Sequence, residues 1–154
     1  MIHITEEPIN ISQMIADCED RSAGAMVLFT GSVRDHNEEE RVSGIYYEAY
    51  EEMARNTLAE IENEVIKNWN IRKFIAIHRI GSLKVNEISV AIAVTTEHRY
   101  DAFEACKYAI DNIKTRTPIW KKELFESGNS TWKEGVVPSR KMNLREGVNV
   151  CNGR

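Results

Sequence analysis

Apolar residues recur along this chain in two rhythms, one typical of helices and one of strands. From Glu51 to Trp69, Ala54, Leu58, Ile61 and Val65 fall at 4-3-4 spacing, one face of an amphipathic helix. A second helical face, with Ala102, Cys106, Ala109, Ile110 and Ile113, runs from about Arg99 to Arg116. A shorter helix opens at Asn10, a favoured cap residue, and is expected to turn Ile11, Met14, Ile15 and Cys18 inward. Strand patterns occupy Gly24 to Thr30, Ile45 to Tyr50, Arg72 to Arg79 and Glu87 to Thr96. Gly81 marks a turn after the third of these, and Asp35 to Ser43 reads as a polar loop. Ile119 to Phe125 and Ser130 to Trp132 form a closing hairpin around Ser127-Gly-Asn129. The order α-β-β-α-β-β-α-β-β lacks strict βαβ alternation, so it predicts an α+β domain around a largely antiparallel sheet. That domain covers 1–135. The tail 136–154 has little apolar periodicity and is expected to fray or to lie on a neighbouring subunit.

Composition narrows the class without naming it. With 42% hydrophobic and 29% charged residues, the chain fits an ordinary globular domain. No apolar run approaches the roughly 20 residues of a membrane span, and the mixed start MIHITEEP does not read as a signal peptide. Cys18, Cys106 and Cys151 are odd in number and far apart, which excludes a disulfide framework and a Cys-x-x-Cys metal site. The expected location is the cytoplasm, with no membrane partner. A net charge of −4 argues against a nucleic-acid partner. The distribution is uneven. Residues 35–64 carry ten acidic side chains against Arg41 and Arg55, whereas residues 98–122 carry six basic ones against Asp101, Glu104 and Asp111. A local basic cluster in an acidic chain suggests a small anionic ligand or an acidic peptide.

The candidate chemistry lies in that cluster. Lys114-Thr-Arg-Thr-Pro-Ile-Trp-Lys-Lys-Glu123 reads as a helix end, a stop at Pro118 and a strand start, so ammonium groups from two elements can converge. His98-Arg99 sits at a helix N-terminus, where cations oppose the macrodipole unless an anion is bound. Arg34 follows Gly31, where a glycine permits a turn or the close approach of a ligand. Each has a plainer reading. Lys114 can compensate a helix dipole, His98 can cap a helix, Lys121-Lys122 can guard an edge strand, and Arg34 can be a surface arginine. Together they favour an anion site. His78-Arg79 reads as a turn that positions the sheet, and His3 and His36 show no partner pattern. Four scattered histidines without carboxylate spacing make no metal site. The sequence contains no nucleophile elbow, P-loop or dinucleotide fingerprint. Cys18 and Cys106 fall on apolar helix faces, so any sulfur handled here has to arrive on a partner.

Five stretches run in one order from Phe29 to about Glu134: Phe29-Thr-Gly-Ser-Val-Arg34, Tyr47-Glu-Ala-Tyr50, Ile77-His-Arg-Ile-Gly81, His98-Arg99 with Ala102-Phe-Glu-Ala105, and Lys114 through Glu123. As a set they resemble the large, catalytic subunit family of molybdopterin synthase. The resemblance implies an α/β hammerhead-like domain with an additional antiparallel β-sheet. It implies a homodimer of this chain at the centre of a heterotetramer, each copy binding a small ubiquitin-like sulfur-carrier subunit with a C-terminal Gly-Gly. That tail's thiocarboxylate would donate sulfur to cyclic pyranopterin monophosphate, in two transfers that build the dithiolene of molybdopterin. No metal or other cofactor is implied for the step. Carried over to this chain, Lys114 and Lys121 would be catalytic. Ser32, Val33, Arg34, His98, Arg99, Lys122 and Glu123 would bind substrate. The family commonly has a basic residue just past the closing Trp-x-Glu strand. Here Val136 and Val137 follow Trp132-Lys-Glu-Gly135, with Arg140 and Lys141 as nearby substitutes. Two other readings use the same residues: an anion-binding regulatory module, and a scaffold that docks a ubiquitin-like tail without chemistry.

Overall fold

The computed structural model describes residues 1–37 and 40–133. The tail, with Arg140, Lys141 and Cys151, lies outside the described residues. The elements are β1 (Ile2–Thr5), α1 (Ile11–Asp17), β2 (Ala25–Ser32), β3 (Val42–Ala49), α2 (Glu51–Asn68), β4 (Ile71–Arg79), β5 (Gly81–Lys84), β6 (Ile88–Thr96), α3 (Arg99–Arg116), β7 (Ile119–Phe125) and β8 (Ser130–Lys133). They build an α+β fold with two four-stranded sheets, ordered β1-β4-β6-β2 and β5-β3-β7-β8. All strand pairs are antiparallel except β1 with β4, which is parallel. The second, wholly antiparallel sheet is the additional one expected. None of the described helices is long and apolar enough to cross a membrane.

The centre of the first sheet is β6, buried along nearly its whole length. Its run Val90-Ala-Ile-Ala-Val94 is apolar at successive positions, as a strand covered on both faces requires. Helices α2 and α3 cover one face through Ala54, Leu58, Ile61 and Val65 and through Ala105, Cys106, Ala109, Ile110 and Ile113. They pack on Phe74, Ala76, Val90, Ile92 and Val94. The opposite face carries α1, with Met14 and Cys18 packed on Ile75, Ala91 and Ala93. The Asn10 cap forms as expected, its side chain accepting from the Gln13 N–H at 3.0 Å. Ile15, expected inward, is exposed, because a helix of two turns resting on a sheet buries only the stripe through Met14 and Cys18. A smaller core of Val33, Val42, Ile45, Leu83 and Phe125 backs the second sheet.

Strands β1 and β5 were not apparent in the pattern. Each has four residues, too few for a period of two to be distinguished from a loop, and each exists because a longer strand offers an edge. Gly81 has φ +85 and is the turn residue expected, but pairing with β3 resumes at that residue. Gly31 continues β2 instead of ending it. The chain pairs Gly31 with Val90 and shifts register only between Gly31 and Ser32. A Cβ on Gly31 would lie 2.8 Å from Val90 Cγ1.

Leu58 is 1% exposed at the centre of the α2 face. Leu58→Ala is expected to cost about 3 kcal/mol of stability in urea unfolding, by loss of contacts and an unfilled cavity.

Candidate active site

The break at Pro118 joins the two layers. The residue before a proline avoids the helical region, and Thr117 is extended at φ −79, ψ 127, so α3 stops there. The Tyr50 N–H donates to the Pro118 carbonyl at 3.2 Å and ties the new strand to the start of α2. Between the end of α3 and the inner face of the second sheet lies a cavity of about 410 Å³. That volume lies within the roughly 300–1,000 Å³ range of small-molecule sites.

The cavity brings together much of the expected constellation. Lys114 comes from the last turn of α3, Lys121 and Glu123 from β7, Ser32 from the end of β2, and Arg34 from just beyond it. Alternation along β7 turns Lys121 and Glu123 to the inner face and Lys122 to the outer one. There Lys122 Nζ lies 5.7 Å from the centroid of the Trp132 ring, outside the cavity lining. The edge-guard reading of these lysines does not hold, because β7 lies between β3 and β8. The Val33 side chain belongs to the core behind the second sheet, and its N–H donates to the Glu87 carbonyl. His98 and Arg99 begin α3, sixteen and fifteen positions before Lys114, about 24 and 22 Å along the axis. The structure therefore does not bring them to this cavity within one chain. His98 stands at the N-cap position, but its side chain makes no capping hydrogen bond.

The electrostatics of the lining are one-sided. Arg34, Lys114, Lys121 and Lys133 face the cavity, with Glu123 as the acid among its lining residues. Among the described residues, Arg34 and Lys114 have no hydrogen-bond or ion-pair partner. Lys121 and Lys133 sit directly opposite each other on β7 and β8, a like-charge pair that destabilises a sheet by itself. Glu123, 6% exposed, offsets it: its two oxygens lie 3.8 Å from Lys121 Nζ and 3.9 Å from Lys133 Nζ. Asn37 Nδ2 donates to the same carboxylate at 2.8 Å, which keeps it oriented. Arg116, in the same basic stretch, is diverted. It is held by Glu64 at 2.6 Å and Glu60 at 3.2 Å and fastens α3 to α2.

Three cationic or imidazole lining residues, Lys133, His36 and His78, were not assigned to the site from the sequence. Lys133 was legible once the hairpin was placed, because its register sets it opposite Lys121. His36 lies at the rim, 2.6 Å from Asp35 Oδ1. His78 divides the His-Arg pair. Arg79 does position the chain, donating to the Glu6 carbonyl and pairing with Glu87, whereas His78 opens on the cavity. Strand alternation carried that signal, since His78 shares a face with Phe74 and Ala76. Its Nδ1 donates to the Arg79 carbonyl at 2.9 Å, and the Tyr47 ring packs edge-on at 5.4 Å. Desolvation by the surrounding protein pushes its pKa down to about 4, and the Lys114 charge adds to the effect. The imidazole is therefore neutral at physiological pH.

Comparison with known proteins places this arrangement. The family model described as MoaE protein matches residues 4–116. A molybdopterin synthase catalytic subunit of Thermoplasma volcanium is 45% identical over 131 residues, 85% of this chain and 96% of that one. The crystal structure of molybdopterin synthase from Staphylococcus aureus superposes with a TM-score of 0.80 at 40% identity, covering 85% of this chain and 95% of that one. A Helicobacter pylori complex of subunits 1 and 2 of molybdopterin-converting factor shares the fold, with a TM-score of 0.71 at 18% identity, covering 85% and 88% of the two chains.

His78 generates a prediction about stability. The unfolded chain protonates this residue near pH 6.5, the folded one only near pH 4. Between those values the unfolded state binds more protons, so stability falls as pH falls and levels off below about pH 4. The total is about 3–4 kcal/mol. Urea midpoints measured across this window should show the slope in the wild type and a flatter profile in His78→Phe.

Proposed function

The chain belongs to the family of molybdopterin synthase catalytic subunits, enzymes of molybdenum cofactor biosynthesis, and on that premise we propose that its cavity performs the sulfur transfer. The substrate is cyclic pyranopterin monophosphate, and the sulfur donor is the C-terminal thiocarboxylate of a small ubiquitin-like subunit. One observation carries the reading: four cations from β8, β7, α3 and the end of β2 converge on one cavity in a chain of net charge −4. A cyclic phosphate and a thiocarboxylate are both anions, and such a site draws both in.

The division of labour follows from which cations are free. Lys114 has no partner among the described residues and can meet charge that develops as the cyclic phosphate opens. Lys121 is held by Glu123 at 3.8 Å and is poised close to the same ligand. Arg34 suits the phosphate by its forked geometry. In each transfer a carbon–sulfur bond forms on the substrate as a carbon–oxygen bond breaks, the oxygen staying on the opened phosphate or leaving as water, and water then cleaves the acyl–sulfur bond and returns the carrier tail to a carboxylate. The buried cysteines take no part. Burial raises the Cys106 thiol to about 11 and also raises that of Cys18, so neither supplies a thiolate at neutral pH. The small-subunit partner is supported by the Helicobacter pylori assembly of two converting-factor subunits, which has this fold.

His98 and Arg99 enter through a second copy. They are too far along α3 to serve the cavity of their own chain, yet they are exposed beside Tyr100 and Phe103, which are 59% and 61% exposed. An apolar patch at that end of α3 is suited to a subunit contact. In a homodimer the basic pair of one copy would then complete the cavity of the other.

Two outcomes check this. In a single-turnover assay with thiocarboxylated small subunit and cyclic pyranopterin monophosphate, Lys114→Ala and Lys121→Ala should each lose about 100-fold or more in dithiolene formation while still binding the small subunit. The proposal fails for a lysine whose removal changes only apparent affinity. Separately, Lys114→Ala mixed and re-assembled with His98→Ala/Arg99→Ala should regain activity that neither variant shows alone. Activity that stays absent in the mixed dimer rules out the exchange between copies.

A further inference from the structure

The inner wall of the cavity holds two polar atoms that the cations do not explain. Thr117 Oγ1 is, among the described residues, the one buried side-chain oxygen or nitrogen without a hydrogen-bond partner. Thr117 is 3% exposed and lines the cavity. Its backbone is satisfied: its N–H donates to the Ile113 carbonyl at 3.2 Å, and its carbonyl accepts from the Ile119 N–H at 2.8 Å. Thr115, two residues earlier, turns its hydroxyl back to the Asp111 carbonyl at 2.8 Å, as helical threonines do. Thr117 is extended ahead of Pro118, off the helix, so it lacks that arrangement.

The second atom is His78 Nε2. A carbonyl only accepts, so the 2.9 Å contact with the Arg79 oxygen places the ring proton on Nδ1. In the neutral imidazole Nε2 then carries a lone pair, and it has no hydrogen-bond partner among the described residues. The ring is held in place by the edge of Tyr47. Because burial lowers the His78 pKa to about 4, the lone pair persists at working pH.

These atoms do not suit a phosphate. An anion needs donors, which Arg34, Lys114, Lys121 and Lys133 provide, and a lone pair at Nε2 repels it. Glu123, the other acceptor, is already engaged by Asn37, Lys121 and Lys133. A cavity-facing acceptor in the same lining as a buried, unpartnered hydroxyl matches a ligand group bearing N–H.

We infer that His78 Nε2 and Thr117 Oγ1 form a neutral hydrogen-bonding subsite that takes the N–H-bearing heterocycle of the substrate, apart from the cations that take its phosphate. The inference rests on reading the cavity as a site for a cyclic pterin phosphate. It makes both residues determinants of specificity rather than of charge. A site built to hydrogen-bond a ligand N–H rejects ligands that lack one, because its own buried polar atoms are then left unpaired.

Calorimetric titration of the full chain with cyclic pyranopterin monophosphate, and separately with inorganic phosphate, tests it. Thr117→Val keeps the shape and removes the hydroxyl; His78→Phe keeps the ring and removes both nitrogens; His78→Gln restores an acceptor. Thr117→Val and His78→Phe should each weaken binding of the pterin phosphate by about tenfold. Phosphate binding should stay within about twofold of wild type, and His78→Gln should recover most of the loss. Thermal melts establish that each variant is folded. Thr117→Val, being isosteric, decides the matter if His78→Phe does not fold. Unchanged affinity for the pterin phosphate in Thr117→Val overturns the subsite and leaves the wider reading standing. Equal losses for pterin phosphate and inorganic phosphate also overturn it. A wild type that binds inorganic phosphate but not the pterin phosphate overturns the wider reading, and the subsite with it.

Discussion

The site depends on one backbone constraint, the extended conformation imposed on Thr117 by Pro118. Without it α3 would continue and carry the following residues away along its axis. With it, the chain leaves the helix within one residue and enters β7, which pairs with β3 along its length. Lys114 and Lys121 are seven positions apart, and the break lets them face each other across a cavity. The same break leaves the Thr117 hydroxyl without the helical carbonyl that Thr115 uses. The converging cations and the unsatisfied polar atom thus share one cause.

Concentrating cations has an electrostatic cost, and the fold meets it selectively. Glu123 is buried between Lys121 and Lys133 and offsets the repulsion of a directly opposed pair. Arg116 is withdrawn from the site by two carboxylates of α2. Lys122 is turned to the outer face by strand alternation. Among the four cations of the cavity lining, those left uncompensated by the described residues are Arg34 and Lys114. The positive potential is therefore focused rather than spread, as suits a small anionic ligand.

Helix α3 also limits which of the proposed substrate residues can serve one chain's cavity. A helix of 18 residues fixes the separation of its two ends, and no side chain spans that distance. His98 and Arg99 can share a ligand with Lys114 only if another copy supplies one of the two sets. Family resemblance ties these residues to one ligand, while the geometry of α3 decides which of them come from the same molecule.

Much was legible in the sequence by itself. The long helices α2 and α3 and the strands β2, β3, β4, β6, β7 and β8 declared themselves, because amphipathic spacing over seven or more residues, or a turn such as Ser127-Gly-Asn129, leaves little ambiguity. So did the basic stretch around Pro118, whose break is a property of proline wherever it stands. The tertiary structure decided what depends on neighbours. Strands β1 and β5 form only because β4 and β3 offer edges, and Ile15 is exposed because the sheet meets a single stripe of α1. Lys121 and Lys122 are adjacent in sequence and differ only in which face of β7 they occupy. Arg116 and Lys114 lie two residues apart, and only the position of α2 makes one an internal tie and the other a free charge. His78 reads as half of a turn motif, and it becomes part of the site because folding places its ring in the cavity wall, where burial keeps it neutral. Local periodicity and backbone chemistry are written residue by residue, whereas the charge state and role of a side chain depend on what surrounds it in three dimensions.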